Sequence, residues 1–110
     1  MVTFDTHDAP ALAEWWARQT GGTAVDESGG MYVMVTPATP GSMTLSFQHV
    51  EDPTPGKNRI HLDLSAPDRD AEVDRLLADG ASLVARREEH GFAWVVLADP
   101  DGNQFCVAQA

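Results

Sequence analysis

Residues 92–108 read FAWVVLADPDGNQFCVA, a pattern that is typical of a β-hairpin. The part from Phe92 to Leu97 is the most hydrophobic predicted strand of the chain, and a second strand is predicted from Gln104 to Ala108. Between them, the segment Asp99-Pro100-Asp101-Gly102-Asn103 concentrates the residue types that favour tight turns. The sequence therefore predicts that the chain ends in two antiparallel strands.

This hairpin belongs to a unit that occurs twice in the sequence. Thr44-Leu45-Ser46 aligns with Gln104-Phe105-Cys106 at an offset of 60 residues, and Asp5 aligns with Asp63 at an offset of 58. Across the whole alignment the offset stays between 58 and 61 residues. Such a small drift indicates one strand-helix-strand-strand-strand unit that is used twice.

In each copy, the alternation of apolar and polar residues predicts the strands, helical spacing predicts the helix, and turn residues mark the boundaries. In the first copy we expect a helix that Asp8 caps and Gly21-Gly22 closes, with strands at Val2–His7, Thr23–Asp26, Met31–Thr36 and Met43–Val50. In the second we expect a helix between Asp68 and Gly80, with strands at Arg59–Ser65, Ser82–Arg86, Phe92–Leu97 and Gln104–Ala108.

The fold prediction is an α+β single domain over residues 1–110, with unit one at 1–50, a proline-rich linker at 51–57 and unit two at 58–110. Two βαβββ units can form one cupped, eight-stranded mixed sheet with both helices on the outer face. The hollow of that sheet is then the default ligand site.

Composition excludes several classes of partner. The chain has 17 acidic and 7 basic side chains, so its formal charge of −10 argues against nucleic acid and anionic membranes. Its one cysteine rules out an intrachain disulfide and fits a reducing compartment. With no secretory signal pattern and no apolar run of about 18 residues, a cytoplasmic location is expected.

Several segments resemble the vicinal oxygen chelate superfamily, the glyoxalase and bleomycin-resistance fold, and more narrowly its small glyoxalase-like domains. The matching segments cover nearly the whole chain: Val2-Thr3-Phe4-Asp5, Asp8 with the helix at Leu12–Trp16, residues 58–63, Asp68, Gly80-Ala81 and residues 99–106. Metal enzymes of this superfamily bind a divalent ion that chelates two neighbouring substrate oxygens. The resemblance implies four ligand positions, which fall near Met1, Ser46, His61 and Cys106.

These residue types do not make an ordinary metal site. His61 is the one good ligand, while Cys106 stands where the metal enzymes carry glutamate. A shift of two residues in the alignment would exchange Met1 for Thr3 or Ser46 for Gln48 without changing the face of the strand. A catalytic zinc normally keeps three protein ligands. His61 and Cys106 supply two, and the third would have to be Asp63, which lies two residues after His61 on the same face of the strand. We therefore expect no cofactor, with a divalent metal on His61 as the alternative.

By strand alternation, seven side chains should line the hollow: Ser46, Gln48, His61, Asp63, Trp94, Gln104 and Cys106. Trp94 could stack on a flat ligand or fill the core. Cys106 could be a nucleophile beside His61, although a packing role is the more common use of a lone cysteine. Asp63 aligns with Asp5 in the repeat, and this symmetry favours a structural role for Asp63.

The favoured function is a pocket that binds a small organic molecule without a complete metal site. One alternative is a divalent-metal-dependent lyase, isomerase or dioxygenase of the glyoxalase type with His61 as a ligand. A second is a non-catalytic dimeric module. Helical spacing turns Trp16 inward and leaves Trp15 on a flank of the helix, so we expect Trp15 to cover a homodimer interface.

Overall fold

The computed structural model describes residues 1–110, and each half of the chain has the order strand-helix-strand-strand-strand. The compact units are Met1–Pro55 and Gly56–Ala110, and the boundary between them falls within the proline-rich segment 51–57. The α+β class and the two βαβββ units are confirmed. The eight strands form two four-stranded hydrogen-bonded sheets, one in each unit.

The first unit carries one helix and four strands. Their bounds are β1 Val2–Thr6, α1 Ala9–Thr20, β2 Thr23–Asp26, β3 Tyr32–Thr36 and β4 Leu45–His49. The strand order is β1-β4-β3-β2, with β1 parallel to β4 and the remaining pairs antiparallel. Aromatic rings join helix and sheet, since Phe4 lies 5.9 Å from Trp16 and 5.0 Å from Phe47 between ring centroids.

Helix α1 begins and ends where the sequence predicts. The carboxylate of Asp8 accepts a hydrogen bond from the backbone N–H of Ala11 at 3.1 Å, and Gly21 ends the helix in the left-handed conformation with φ of 69°. The expectation for Trp15 is wrong. Its side chain is 4% exposed and packs edge-on against Trp16, 5.1 Å away between centroids. Trp15 is therefore a core residue and does not supply an exposed interface.

The second unit repeats this arrangement. Its elements are β5 Asp63–Ala66, α2 Arg69–Ala78, β6 Ser82–Glu89, β7 Phe92–Ala98 and β8 Gln104–Gln109, with the strand order β5-β8-β7-β6. Asp68 caps α2 by accepting from the backbone N–H of Ala71 at 3.0 Å. The helix contributes Val73 and Leu76 to the buried core of this unit, to which β7 and β8 add apolar side chains: Val95, Leu97, Phe105 and Val107.

Strand β5 is shorter than predicted, because it begins at Asp63 instead of Arg59. The side-chain amide of Asn58 takes the place of a strand neighbour for β8. Its oxygen accepts from the backbone N–H of Gln104 at 2.7 Å, and its NH₂ group donates to the carbonyl of Gln104 at 2.9 Å. The segment between Asn58 and Asp63 is thereby freed from the strand, which leaves Ile60 74% exposed instead of inward-facing.

Strand β6 is longer than predicted and continues three residues beyond Arg86 to Glu89. His90 and Gly91 form the two-residue connection to β7, with φ of 52° and 78°, and Glu89 pairs with Phe92. Left-handed conformations at both central positions are typical of a type I′ hairpin turn, whose twist matches that of the flanking strands.

The pairing registers correct one inference from the repeat. Thr3 lies opposite Ser46 in the first unit, and Asp63 lies opposite Cys106 in the second. The structural counterpart of Asp63 is therefore Thr3, at an offset of 60 residues, and not Asp5. Asp63 therefore has no acidic counterpart in the first unit, and the repeat does not favour a structural role for it.

Neither helix has the length and apolar character that crossing a membrane requires.

Candidate functional site

One face of the second sheet collects the polar side chains that the sequence singles out. Alternate residues of a strand project to the same face, and the registers of β5 to β8 define rows across it. One row comprises Asp63, Cys106, Val96 and Ala85, and the next comprises Ala108, Trp94 and Arg87. The core residues Val95 and Val107 belong to the opposite face. These rows form the floor of a groove within the second unit.

The groove has a volume of about 710 Å³. Its apolar lining includes Phe92 and Trp94, whose ring centroids lie 5.8 Å apart with the planes tilted by 30°. Trp94 is half-buried, whereas Phe92 is 57% exposed. Charged side chains of both signs also line the groove: Lys57, Asp63, Arg87 and Glu89. The groove thus combines an aromatic surface with a few polar groups.

Three of the polar groups converge at one place. The imidazole Nδ1 of His61 lies 3.3 Å from Oδ1 of Asp63 and 3.9 Å from Sγ of Cys106. One ligand atom from each of the three residues falls within 4.8 Å of the others. The arrangement brings together an imidazole, a carboxylate and a thiol, which is a donor set that zinc accepts.

The surroundings of Cys106 favour its neutral thiol over the thiolate. Partial burial raises its pKa, and the negative charge of Asp63 raises the pKa further, while the cation of Lys57 acts in the opposite direction. The thiolate is the reactive species in nucleophilic catalysis. A nucleophilic role for Cys106 therefore has no electrostatic support in this environment.

The position of His61 depends on the Asn58 side chain. Besides its two hydrogen bonds to Gln104, Asn58 donates from its NH₂ group to the carbonyl of Ile60. This amide fixes the chain immediately before His61, and the backbone N–H of Cys106 donates to the carbonyl of Leu62 at 2.9 Å immediately after it. His61 is thus held from both sides although it lies outside a strand.

The seven predicted lining residues are distributed over both units. Five of them line the groove of the second unit: His61, Asp63, Trp94, Gln104 and Cys106. Ser46 and Gln48 belong to β4 of the first unit, where Ser46 is fully buried and shares a 2.6 Å hydrogen bond with the hydroxyl of Thr3. Gln48 is exposed, and its register partners are Asp5 and Tyr32.

Sequence reasoning did not single out Arg87 or Lys57, which the structure places in the groove. Arg87 lies beyond the predicted end of its strand, so strand alternation does not assign its side chain to a face. The alternation of Ala85, Arg87 and Glu89 carries that signal once the strand is extended to the His90 turn. Lys57 lies in the segment predicted as a linker, and no periodicity there indicates where it points.

Residues 1–108 match the model of a family described as "Glyoxalase-like domain". No curated protein matches the sequence. Solved structures with the same fold include a glyoxalase/bleomycin resistance protein/dioxygenase family enzyme from Burkholderia phytofirmans, with a TM-score of 0.79 and 20% identity over 97% of this chain and 94% of that one. A member of the same superfamily from Sphaerobacter thermophilus has a TM-score of 0.71 and 21% identity over 98% of this chain and 93% of that one.

A third similar structure holds a metal. It is a mutant fosfomycin resistance protein from Listeria monocytogenes in complex with manganese(II) and 1S,2S-dihydroxypropylphosphonic acid. It has a TM-score of 0.79 and 13% identity over 97% of this chain and 85% of that one. At these identities the likeness establishes the fold.

Proposed function

Because the chain belongs to the glyoxalase-like domain family, we propose that it binds a small organic molecule in the groove of its second unit. The observation that carries the proposal is the aromatic floor of that groove beside the cluster of His61, Asp63 and Cys106. Sites for small molecules are concave and mostly apolar, with a few polar groups that fix the orientation of the ligand. The groove has both features.

Its size suits a ligand of modest dimensions. A volume of about 710 Å³ lies inside the range of about 300–1,000 Å³ that is usual for such sites. Trp94 is the main stacking surface because it is half-buried and its register partner on β8 is the small residue Ala108. A planar ring can lie against the indole at an offset. We therefore propose a flat, ring-containing ligand.

Arg87 gives this ligand a polar contact. It is the register partner of Trp94 on the neighbouring strand, and both side chains line the groove. A guanidinium in this position can pair with a carboxylate or another anionic substituent of a ring that stacks on Trp94. The small aromatic acids are the ligand class that best combines these two contacts.

The dye 8-anilinonaphthalene-1-sulfonate carries fused rings and an anionic group, and it serves as the probe. We expect it to bind one site per chain in the presence of EDTA, with a rise in dye fluorescence. The variant Ala108→Phe fills the floor beside Trp94 and should lower the affinity at least tenfold. The control Leu83→Ser removes a side chain that is 48% exposed and does not line the groove, so its affinity should stay unchanged.

The proposal would be contradicted if the wild type and Ala108→Phe bound the dye with equal affinity while circular dichroism showed that both proteins were folded. A loss of affinity in Leu83→Ser that matches the loss in Ala108→Phe would also contradict it, because the dye would then report exposed apolar surface in general.

A second candidate function is a metal-dependent lyase, isomerase or dioxygenase of the glyoxalase type. The observation that favours it is the convergence of His61, Asp63 and Cys106 in the same groove. The fosfomycin resistance protein with the same fold is in complex with manganese(II) and 1S,2S-dihydroxypropylphosphonic acid. The candidate requires that this chain binds a metal ion, which the zinc titration below tests.

A further inference from the structure

We infer that His61, Asp63 and Cys106 form a zinc site that leaves one coordination position open to the groove. All three donors come from the second unit, from β5, β8 and the segment that precedes β5. The positions implied by the superfamily resemblance differ, since they include Met1 and Ser46 and do not include Asp63. The inferred site shares His61 and Cys106 with those positions, and it differs in drawing its third donor, Asp63, from the same unit.

Two of the three distances between donor atoms are close to those that a tetrahedral zinc ion requires, and the donor atoms of all three residues lie within 4.8 Å of one another. Ordinary zinc bond lengths and tetrahedral angles place the nitrogen about 3.3 Å from the oxygen and about 3.6 Å from the sulfur. The structure has 3.3 Å between His61 Nδ1 and Asp63 Oδ1 and 3.9 Å between His61 Nδ1 and Cys106 Sγ. The ion therefore requires only a small adjustment of side chains.

The side chains can make this adjustment without moving the sheet. His61 and Asp63 have side chains that are 45% and 75% exposed, so their torsion angles are not fixed by packing. Cys106 is the more rigid donor because its backbone pairs with both β5 and β7. The side chains of His61 and Asp63 can thus adjust to a zinc ion that is bound to the sulfur of Cys106.

Charge balance also favours a divalent ion. On binding, the thiol of Cys106 transfers its proton to solvent as the zinc–sulfur bond forms, so the site then supplies a thiolate, a carboxylate and a neutral imidazole. The two negative charges of these ligands compensate the two positive charges of the ion. No oxidant or reductant takes part in this step.

The sulfur donor selects zinc over harder ions. Thiolate is a soft ligand that suits zinc, whereas magnesium, calcium and manganese prefer oxygen donors. Affinity for zinc should accordingly exceed that for manganese by at least a hundredfold. Three protein ligands and one free position are also the arrangement of catalytic zinc sites, in which the fourth position takes water or substrate.

The open position narrows the ligand class, and this step rests on the proposed function. Cys106 lies in the row of side chains next to that of Trp94. A ring that stacks on Trp94 can direct an oxygen substituent toward an ion held by Cys106. Aromatic molecules with a carboxylate, carbonyl or phenolate oxygen fit both contacts.

Cobalt(II) tests the site directly, because it replaces zinc and has a visible spectrum. The full chain, reduced and freed of metal, is titrated with cobalt(II) and then with zinc in the absence of any organic ligand. We expect one ion per chain, visible bands typical of four-coordinate cobalt, and a near-ultraviolet band from sulfur-to-cobalt charge transfer. Zinc should displace the cobalt and abolish these bands.

Variants identify the three donors. Cys106→Ser should lose the charge-transfer band, and both His61→Ala and Asp63→Asn should weaken binding at least tenfold. His7→Ala is the matched control, since the side chain of His7 is exposed and only its backbone carbonyl is engaged, by the ring of His49. Circular dichroism verifies that each variant is folded, and Asp63→Asn preserves the shape of the native side chain.

The inference is overturned by the absence of one-to-one binding, by a cobalt spectrum without a sulfur band, or by manganese binding more tightly than zinc. It is also overturned if Cys106→Ser and His61→Ala bind zinc as well as the wild type does. Because the dye experiment is carried out in EDTA and the metal titration without organic ligand, failure of one proposal leaves the other intact.

Discussion

The carboxylate of Asp99 organises the turn before the last strand. It is 3% exposed, and its Oδ1 accepts hydrogen bonds from the backbone N–H groups of Asp101 and Asn103 at 3.0 and 2.9 Å. The side-chain NH₂ of Asn103 donates to the same carboxylate at 2.9 Å. The turn residues could be predicted from their types, but the burial of one of them could not, since it depends on how the loop closes.

We expect Asp99→Ala to lower the free energy of unfolding by roughly 2–3 kcal/mol, because it leaves several polar groups of the turn without their charged acceptor. Urea unfolding monitored by circular dichroism measures the difference. Asp99→Asn, which retains one acceptor oxygen, should lose less. A change below about 0.5 kcal/mol in Asp99→Ala would show that water replaces the carboxylate at no cost.

The candidate site could be predicted in part at this scale. Strand alternation brings Cys106 and Asp63 to one face, and His61 was expected beside them. The close approach of Asp63 to His61 follows from the register of β5 with β8 and from the Asn58 anchor. A sequence repeat does not contain this information, because it aligned Asp63 with Asp5, while the pairing of strands aligns it with Thr3.

Helices α1 and α2 occupy equivalent places in their units but are anchored differently. Six of the twelve residues of α1 are buried, including Trp15 and Trp16, whereas only Val73 and Leu76 are buried among the ten residues of α2. Both N-caps could be predicted from the aspartates that form them. The difference in anchoring could not be predicted, because helical spacing assigned Trp15 to a flank.

We expect backbone amides in the middle of α2 to exchange with solvent faster than those in α1, because fewer buried apolar contacts oppose its local opening. Hydrogen–deuterium exchange followed by mass spectrometry measures the two helices in one experiment. Equal protection of α1 and α2 would contradict this expectation and would indicate that both open only with the global unfolding of the chain.

At the scale of the molecule, most of the fold could be predicted from the repeat in the sequence. Hydrophobic alternation and turn residues gave two βαβββ units, and errors were confined to the ends of strands. Those ends depend on particular side chains. Asn58 replaces part of β5, and His90 adopts a left-handed conformation that lets β6 run on to Glu89. Neither effect has a signature in the period of the sequence.

Homodimer formation stays a prediction, but Trp15 no longer supports it. Sedimentation velocity over a range of protein concentrations measures the state in solution. The prediction requires a species with twice the mass of one chain. This species either dissociates on dilution or is present at every concentration measured. A single species with the mass of one chain at all concentrations would exclude the dimer and with it the idea of a non-catalytic dimeric module.

The two hydroxyls of Thr3 and Ser46 occupy the same register positions in the first unit as Asp63 and Cys106 do in the second. Equivalent backbone positions therefore carry two hydroxyls in one sheet and a carboxylate with a thiol in the other. For protein engineering, the double substitution Thr3→Asp and Ser46→Cys would place the counterparts of Asp63 and Cys106, two of the three inferred zinc donors, in the first unit. The first unit is therefore a suitable scaffold for the design of a second metal site.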